Sequence, residues 1–333
     1  MKKSFPHRMD CIDWQAFLGQ SKAVDEAARV SPGIMRFCST FAWQVSAHEA
    51  FYPHRAPLVF QKGNHWILLC GGELPPFQKI LQPFESDWFF GCPVLGPDPR
   101  VGCQILLDIL LELRSDYPLV WLGGIPRDGL LDRLLLSRFS RFFRIQRLDG
   151  CDCHFASLEG GKAGYFSRRS GRFRRFIRKI RENAESAGVE VEQVREGSAE
   201  TIMGRLLDIE RRSWKSKAGE SIFEQPRFVD FYHRLIRRLL PENRFRMVIL
   251  QRGGRDFAYA MGGVFDKEFR GFQLGYHADA AFLNPGHLCQ DFLIQLLCDE
   301  GILSYDLGMI MDYKERWAES VHSIANIVLV ARG

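Results

Sequence analysis

The stretch from Arg255 to Ser320 constrains the fold of this chain more than any other part of the sequence. Two apolar and aromatic runs, 256–265 and 271–277, are joined by a short charged segment, a pattern that is typical of a β-hairpin. Apolar residues then recur at helical spacing from Leu288 to Leu297. The run 302–307 predicts a further strand, so a strand–helix–strand crossover closes within this stretch.

The helix in this stretch is preceded by Asn284, Pro285 and Gly286. Asn284 is predicted to be its N-cap, and Pro285 suits the first helical position. Gly286 and His287 are then expected to present free backbone N–H groups at the positive end of the helix dipole, where phosphates bind. Helix starts of this kind also occur without a ligand, but the position between two strands favours an anion site.

The strand before this helix, 271–277, is expected to diverge from its neighbour. Its unpaired backbone groups would then receive an extended ligand, much as an edge strand receives a peptide. Gly275 either permits the close approach of such a ligand or marks a bulge.

These features resemble the acyl-CoA core of GNAT acyltransferases. The segments Asn284-Pro285-Gly286, Asp306-Leu307-Gly308 and Tyr313-Lys314 match, more specifically, a bacterial branch associated with cellulose and exopolysaccharide biosynthesis. The Fem-type aminoacyl transferases, which duplicate the GNAT fold, share this pattern. The resemblance covers about residues 160–330 well and the first half in outline, and one glycine stands where the general GNAT phosphate loop has two.

The resemblance implies an α/β (α+β) fold with two GNAT-like domains, each a mixed, mostly antiparallel sheet flanked by helices. It implies acetyl-CoA or another acyl-CoA as cosubstrate and an amine acceptor, a small molecule or glycan precursor, that attacks the thioester directly. The oxyanion would be held by a backbone N–H of the core strand. The residues implied in donor binding are Gly275, Tyr276, Asn284, Gly286, His287 and Leu288.

Tyr313 lies just beyond the last strand of the crossover, where GNAT enzymes often place a tyrosine that protonates the departing thiolate. A phenol, with an ordinary pKa near 10, serves this role only when it lies close to the sulfur. Asp306, Asp312 and His277 are candidate bases for the attacking ammonium. Each of these three also fits a role as a cap, an ion-pair partner or a polar strand end, and Tyr313 also fits packing against Trp317.

Lys314 fits binding of a donor phosphate or an acidic acceptor, and also an ordinary position in solvent.

The length of 333 residues and the 46% hydrophobic content predict two domains with separate cores. The predicted first domain is 1–158, a glycine-rich linker is 159–165, and the second domain is 166–333. The order of elements in the first half repeats that of the second, which suggests a degenerate first copy. Asp98 stands where a donor phosphate would lie, so the first domain is expected to help form the acceptor cleft.

No run approaches the roughly 18 apolar residues of a membrane helix, and the first residues lack the apolar segment of a secretory signal. The sequence therefore predicts no transmembrane segment and a cytoplasmic location. Nine cysteines at irregular spacing do not form a disulfide framework. Cys151, Cys153 and His154 lack a second ligand pair at the spacing of a metal site, so no metal is predicted.

Eight of the fourteen residues between Arg168 and Arg181 are arginine or lysine. Phe173, Phe176, Ile177 and Ile180 share one helical face, which predicts a buried apolar face and a cationic outer face. That outer face suits peripheral contact with anionic surfaces or RNA. An alternative function is therefore a Fem-type transferase that uses aminoacyl-tRNA, and a third is a non-catalytic binding protein of envelope polysaccharide assembly.

Overall fold

The computed structural model describes residues 10–74 and 78–332 of the chain. The described residues form two compact units. The first unit contains residues up to Asp152 together with residues from His322 onward, and the second contains Cys153–Val321.

The first unit is a sheet with helices against it. Its elements are β1 (Asp10–Ile12), α1 (Trp14–Leu18), α2 (Ser21–Val30), a 3₁₀ turn (Phe37–Ser39), α3 (Phe41–Phe51), β2 (Ala56–Lys62), β3 (His65–Leu74), β4 (Gln78–Pro83), β5 (Val94–Leu95), α4 (Pro99–Leu113), β6 (Leu119–Pro126), α5 (Leu130–Phe139) and the start of β7 (Phe143–Ser157). Strands β1 to β4 pair antiparallel in sequence order, β5 pairs with β3, and β6 lies parallel to β4.

The second unit begins with the end of β7. Its other elements are α6 (Gly161–Ser167), α7 (Gly171–Ser186), β8 (Val189–Val194), α8 (Ala199–Glu210), α9 (Trp214–Lys217), a 3₁₀ turn (Ile222–Glu224), α10 (Pro226–Leu239), β9 (Phe245–Arg252), β10 (Arg255–Phe265), β11 (Glu268–Tyr276), a 3₁₀ turn (Ala278–Leu283), α11 (Pro285–Asp299), β12 (Ser304–Met309), α12 (Asp312–Glu315) and the start of β13 (Ser320–Ala331). Strands β8 to β11 pair antiparallel, β12 lies parallel to β11, and β7 pairs antiparallel with β12.

The strands of the two units share one internal order. In each unit an antiparallel series ends at a strand, β4 or β11, that lies parallel to the strand after a long helix, β6 or β12. The next strand, β13 or β7, is antiparallel to that partner. The predicted fold class, with mixed and mostly antiparallel sheets flanked by helices in two domains, is confirmed.

The last strand differs from its predicted place. The sequence assigns residues 324–330 to the second domain, whereas in the structure Ile324–Val330 pairs with Leu119–Pro126 of the first unit. An apolar strand is recognisable from its own residues, but the sheet that it joins depends on long-range pairing.

The predicted linker 159–165 also differs, because it is partly helical. Gly160 and Gly161 have φ of 77° and 65°, a left-handed conformation that suits glycine, and α6 begins at Gly161. The boundary between the compact units falls earlier, inside β7, at Asp152 and Cys153.

Helix α7 packs its apolar stripe into the core of the second unit, as its sequence predicts. Phe173, Ile177 and Ile180 are 5%, 4% and 3% exposed and share a cluster with Leu288 and Leu293 of α11. Burial of each such side chain contributes about 2 kcal/mol. Helix α11 packs against both α7 and the strands β9 to β11, and its start lies beside β11.

Candidate active site

Strands β11 and β12 pair for only three residues. Glu268–Arg270 lies opposite Ser304–Asp306, and beyond this point β11 continues to Tyr276 paired with β10. The two strands therefore diverge as the sequence predicts. A strand edge that loses its partner carries backbone N–H and C=O groups that are available to a ligand.

A cleft of about 30 Å³ lies at this divergence. Tyr305 lies where the two strands diverge, and its ring is so near Gly271 that a Cβ added there would be 3.1 Å away. Its hydroxyl donates to Gln290 Oε1 of α11 at 2.6 Å. Burial raises the pKa of Tyr305 well above its ordinary value. The cleft is lined by Ala260, Met261, Gly271, Phe272, Gln273, Leu274, Gln290, Tyr305, Leu307, Tyr313 and Lys314.

Asp306 is 1% exposed and is engaged through both carboxylate oxygens. Oδ2 accepts from Arg270 Nη1 at 2.6 Å, and Oδ1 accepts from the Gly308 N–H at 2.9 Å. Asp306 is therefore an ion-pair partner of Arg270, and this ion pair stabilises the paired ends of β11 and β12.

We expect the substitution Asp306→Asn to lower the free energy of unfolding of the second unit by about 3 kcal/mol, since it leaves the Arg270 charge buried without its carboxylate. Urea denaturation measures this change. The matched control is Asp312→Asn, because Asp312 is exposed at the start of α12. Equal free energies of unfolding for the two variants would contradict a stabilising role for Asp306.

Tyr313 lines the cleft from α12. The residue is 37% exposed, and partial burial, with a smaller effect of Tyr276, raises the pKa of its phenol to about 12. The ring contacts described for Trp317 are with Tyr165, Phe173 and His287 and not with Tyr313. The geometry thus favours the cleft over packing against Trp317 for Tyr313.

Two lysines point their ammonium groups at the diverging strands. Lys314 Nζ donates to the Met309 carbonyl at 3.0 Å, and Lys215 Nζ donates to the Leu274 carbonyl at 2.7 Å. Burial and then the nearby Arg270 lower the pKa of Lys314 to about 8, and burial also lowers the pKa of Lys215. Lys314 is half-buried rather than free in solvent, and Lys215 carries no sequence signal that places it here.

The start of α11 differs from a side-chain cap. Asn284 occupies the N-cap with φ of 54°, makes no side-chain capping bond, and accepts from His287 and Leu288 N–H through its carbonyl at 3.1 and 3.2 Å. The sequence predicts a free backbone N–H for His287, but this N–H is hydrogen-bonded to the Asn284 carbonyl. Pro285 has no N–H, so Gly286 carries the first backbone N–H of the helix. N–H groups in the first turn of a helix lack intrahelical partners, which leaves this one available to a ligand.

The surroundings of Gly286 connect the helix start to β11. A Cβ at this position would lie 3.4 Å from Leu274 Cδ2 and 3.6 Å from Tyr276 Cε1. The neighbouring His287 faces inward, where its Nδ1 accepts from Trp317 Nε1 at 3.1 Å. Burial lowers the pKa of His287, so its ring is neutral near pH 7. The side chain of Leu288 is fully buried.

Gly275 makes room for a buried carboxylate that sequence reasoning missed. A Cβ on Gly275 would collide with Glu210 Oε1, which accepts from the Tyr259 hydroxyl at 2.8 Å. Ser213 and Ser221 donate to Glu210 Oε2 at 3.2 and 2.8 Å. The bulge on this pair of strands lies instead between Met261 and Gly262 of β10. Glu210 ends an ordinary amphipathic helix, so its burial has no local signature.

His277 and Asp312 do not line the cleft. His277 follows the end of β11 and is 8% exposed, and its backbone N–H donates to the Phe257 carbonyl at 2.8 Å. Burial, together with the nearby Arg212, lowers the pKa of its imidazole. Of the predicted catalytic residues, Tyr313 lines the cleft, while Asp306 lies in the ion pair at the fork.

The described residues contain no group of three or more His, Cys, Asp or Glu side chains that could hold a metal. Cys153 is buried, and Arg270 Nη1 lies 3.9 Å from its sulfur. Within residues 10–74 and 78–332, no helix combines the length and the apolar character that a membrane span requires.

Residues 170–315 match the model of the acetyltransferase (GNAT) domain. This part of the chain is thus similar to a GNAT acetyltransferase domain, and it contains the cleft and the start of α11. No curated protein sequence matches the chain.

Solved structures with the same arrangement cover nearly the whole chain. FemX matches 96% of this chain and 97% of its own with a TM-score of 0.68 at 8% identity. A conserved protein of unknown function from Bacteroides thetaiotaomicron matches 97% and 99% with a TM-score of 0.65 at 10% identity. A tandem GNAT protein from the clavulanic acid biosynthesis pathway matches 98% of each chain with a TM-score of 0.52 at 11% identity. At these identities the matches show a shared duplicated fold.

Proposed function

We propose that the second unit is an N-acyltransferase that moves an acyl group, in the first instance acetyl, from acyl-CoA to an amine. The observation that carries this proposal is the divergence of β11 from β12 directly beside the start of α11. The unpaired edge of β11 suits the amide-bearing pantetheine arm, and the Gly286 N–H with the helix dipole suits the pyrophosphate. Leu274 and Tyr276 of β11 lie next to Gly286, so the strand edge and the helix start adjoin.

The reaction requires a general acid that gives a proton to the leaving thiolate. The amine nitrogen attacks the thioester carbon, the C–S bond breaks, the sulfur takes a proton, and the new ammonium loses one. The Tyr313 phenol, with its pKa of about 12, stays protonated and donates a hydrogen bond to sulfur, but full transfer to a thiolate is strongly uphill. Lys314, with its pKa of about 8, is nearly matched to a thiol and supplies the proton.

We expect Tyr313→Phe to lower turnover about ten- to a thousandfold while acetyl-CoA affinity and thermal stability stay nearly unchanged, because the ring and its packing remain. Hydrolysis of acetyl-CoA provides the first assay, followed by a panel of amines and amino sugars. Wild-type turnover in the variant removes Tyr313 from the mechanism.

The first unit is proposed to be a degenerate copy without a donor site. At the start of α4, the Asp98 carboxylate accepts from the Arg100 N–H at 2.8 Å, so a phosphate there would meet a negative charge. His65 occupies the space beside Gly96, and the adjoining cavity measures about 10 Å³. These contacts support assignment of catalysis to the second unit alone.

The acceptor is proposed to be an amino sugar or another amine precursor of an envelope or exopolysaccharide, in the cytoplasm. The Asn284-Pro285-Gly286, Asp306-Leu307-Gly308 and Tyr313-Lys314 segments support this branch by resemblance. The full-length fold match to FemX supports the competing proposal, in which aminoacyl-tRNA is the donor.

A thermal shift separates these proposals, because a ligand at a hundred times its dissociation constant adds about 2.7 kcal/mol to stability. We expect acetyl-CoA or a longer acyl-CoA to raise the melting temperature and tRNA to leave it unchanged. Stabilisation by tRNA alone favours the aminoacyl-tRNA reaction. Stabilisation by neither favours a binding protein that retains the fold.

A further inference from the structure

A second concave site lies on the second unit, between α6, α7 and α11. We call it the α7 groove, and it encloses about 330 Å³, a volume within the range of ligand sites. Phe166 of α6 and Ile177 of α7 form its apolar part, while Lys162 and Arg181 approach Asp291 of α11 at its base.

The base of the α7 groove contains polar atoms without hydrogen-bond partners. Asp291 is fully buried, and it forms ion pairs with Arg181 and with Lys162, whose Nζ is 3.4 Å from Oδ1. Among the described residues, Lys162 Nζ, Arg181 Nη2 and Asp291 Oδ1 are buried and make no hydrogen bond. Such atoms require a partner. A hydroxyl group suits all three, because it accepts from the cations and donates to the carboxylate.

The two ends of the α7 groove carry opposite charges. Arg174 and Arg178 line one end and are exposed, whereas Glu182 and Glu185 line the other and are also exposed. A phosphate is therefore attracted to the Arg174 end and repelled from the Glu185 end. This asymmetry fixes the direction in which an anionic ligand enters.

The surface next to the α7 groove is also cationic. Arg172, Arg175 and Lys179 are exposed on the same helix, and the segment 168–181 contains no acidic residue. Each such cation contributes about 1 kcal/mol of attraction to a negatively charged lipid surface within a Debye length.

We propose that the α7 groove binds the headgroup of an acidic phospholipid and docks the second unit on an anionic membrane surface. An acidic lipid with a hydroxylated headgroup, such as phosphatidylglycerol, offers a phosphate for Arg174 and Arg178, a headgroup hydroxyl for the polar base, and an apolar chain for Phe166 and Ile177. The paired regions of a nucleic acid offer phosphates to the outer cations, but their stacked bases are not free to enter the apolar part of the groove. The charge and shape of the groove together therefore favour a lipid.

Cosedimentation with vesicles tests the proposal. Vesicles of phosphatidylcholine with about 30% phosphatidylglycerol present the anionic surface, and vesicles of pure phosphatidylcholine are the reference. The groove variant is Arg174→Glu with Arg178→Glu, and the matched control is Arg172→Glu with Lys179→Glu, which changes net charge equally. We expect the full chain to bind the acidic vesicles alone and the groove variant to bind at least about tenfold more weakly than the control.

Further measurements distinguish a lipid headgroup from a free phosphate or a nucleic acid as the ligand. Phe166→Ala leaves the charge unchanged and is expected to weaken vesicle binding about tenfold. Because Phe166 also packs against Tyr165 and the core, the melting temperature is measured to establish that the variant is folded at the assay temperature. Soluble glycerol phosphate, which lacks a chain, is expected not to displace the protein from vesicles. Equal losses in the two charge variants overturn the proposal, as does displacement by glycerol phosphate. Binding of tRNA without binding of acidic vesicles also overturns it.

Discussion

Replacing Lys314 with methionine is expected to lower turnover by about 10²- to 10⁴-fold, the range of a general acid, while acetyl-CoA affinity changes little. The reason is the position of Lys314 in the cleft, half-buried beside Tyr313, with a pKa lowered to about 8 by burial and Arg270. Steady-state kinetics gives the turnover and calorimetry gives the affinity. Lys217→Met is the matched control, because Lys217 is an exposed lysine of the same unit.

The pH profile and the arginine variant separate proton transfer from simple charge. If the Lys314 ammonium is the acid, turnover falls as pH rises through about 8, because the side chain loses its proton, and this fall is absent from Lys314→Met. Arginine stays charged but does not release a proton at these pH values. Full rescue by Lys314→Arg therefore contradicts the acid role and leaves an electrostatic one.

Replacing Gly286 with glutamate is expected to weaken acetyl-CoA binding by at least about a hundredfold, because the carboxylate would meet the pyrophosphate at the positive end of α11. The fold should tolerate the change, since a Cβ at this position would make ordinary contacts with Leu274 and Tyr276. Calorimetric titration measures the affinity, and the melting temperature checks the fold.

Gly286→Ala is the matched control for the glutamate variant. A methyl group would lie 3.4 Å from Leu274 Cδ2, an ordinary van der Waals contact, and it adds no charge. We expect Gly286→Ala to bind acetyl-CoA within about threefold of the wild type. If the glutamate variant binds equally well, the donor phosphate lies elsewhere.

The elements of this fold were predictable where local pattern decides them. The hairpin of β10 and β11 follows from two apolar runs, and α11 follows from its apolar spacing after Asn284-Pro285-Gly286. The five-residue charged connection shortens to a turn at Asp266 and Lys267, where Asp266 adopts φ of 58°. Aspartate tolerates this conformation, so strand pairing extends further than composition indicates.

The candidate site was less predictable because its parts meet through long-range packing. Tyr313 and Gly286 have local motifs, but Lys215 reaches the Leu274 carbonyl from a helix far away in the chain. The ion pair of Arg270 with Asp306 depends on the parallel register of β11 and β12, which no local pattern encodes. The carbonyl of Asn284, rather than its side chain, bonds the first amides of α11 because the backbone there is left-handed.

A crystal structure of the chain with acetyl-CoA tests most directly whether the donor binds where β11 and β12 diverge. We expect the pantetheine arm to lie between the diverging ends of these strands and to bond the β11 backbone beyond Arg270. We also expect the sulfur within hydrogen-bonding reach of the Tyr313 hydroxyl and the pyrophosphate at the Gly286 N–H. Acetyl-CoA bound outside this cleft, or a cleft left empty at saturating acetyl-CoA, would show that this cleft is not the donor site.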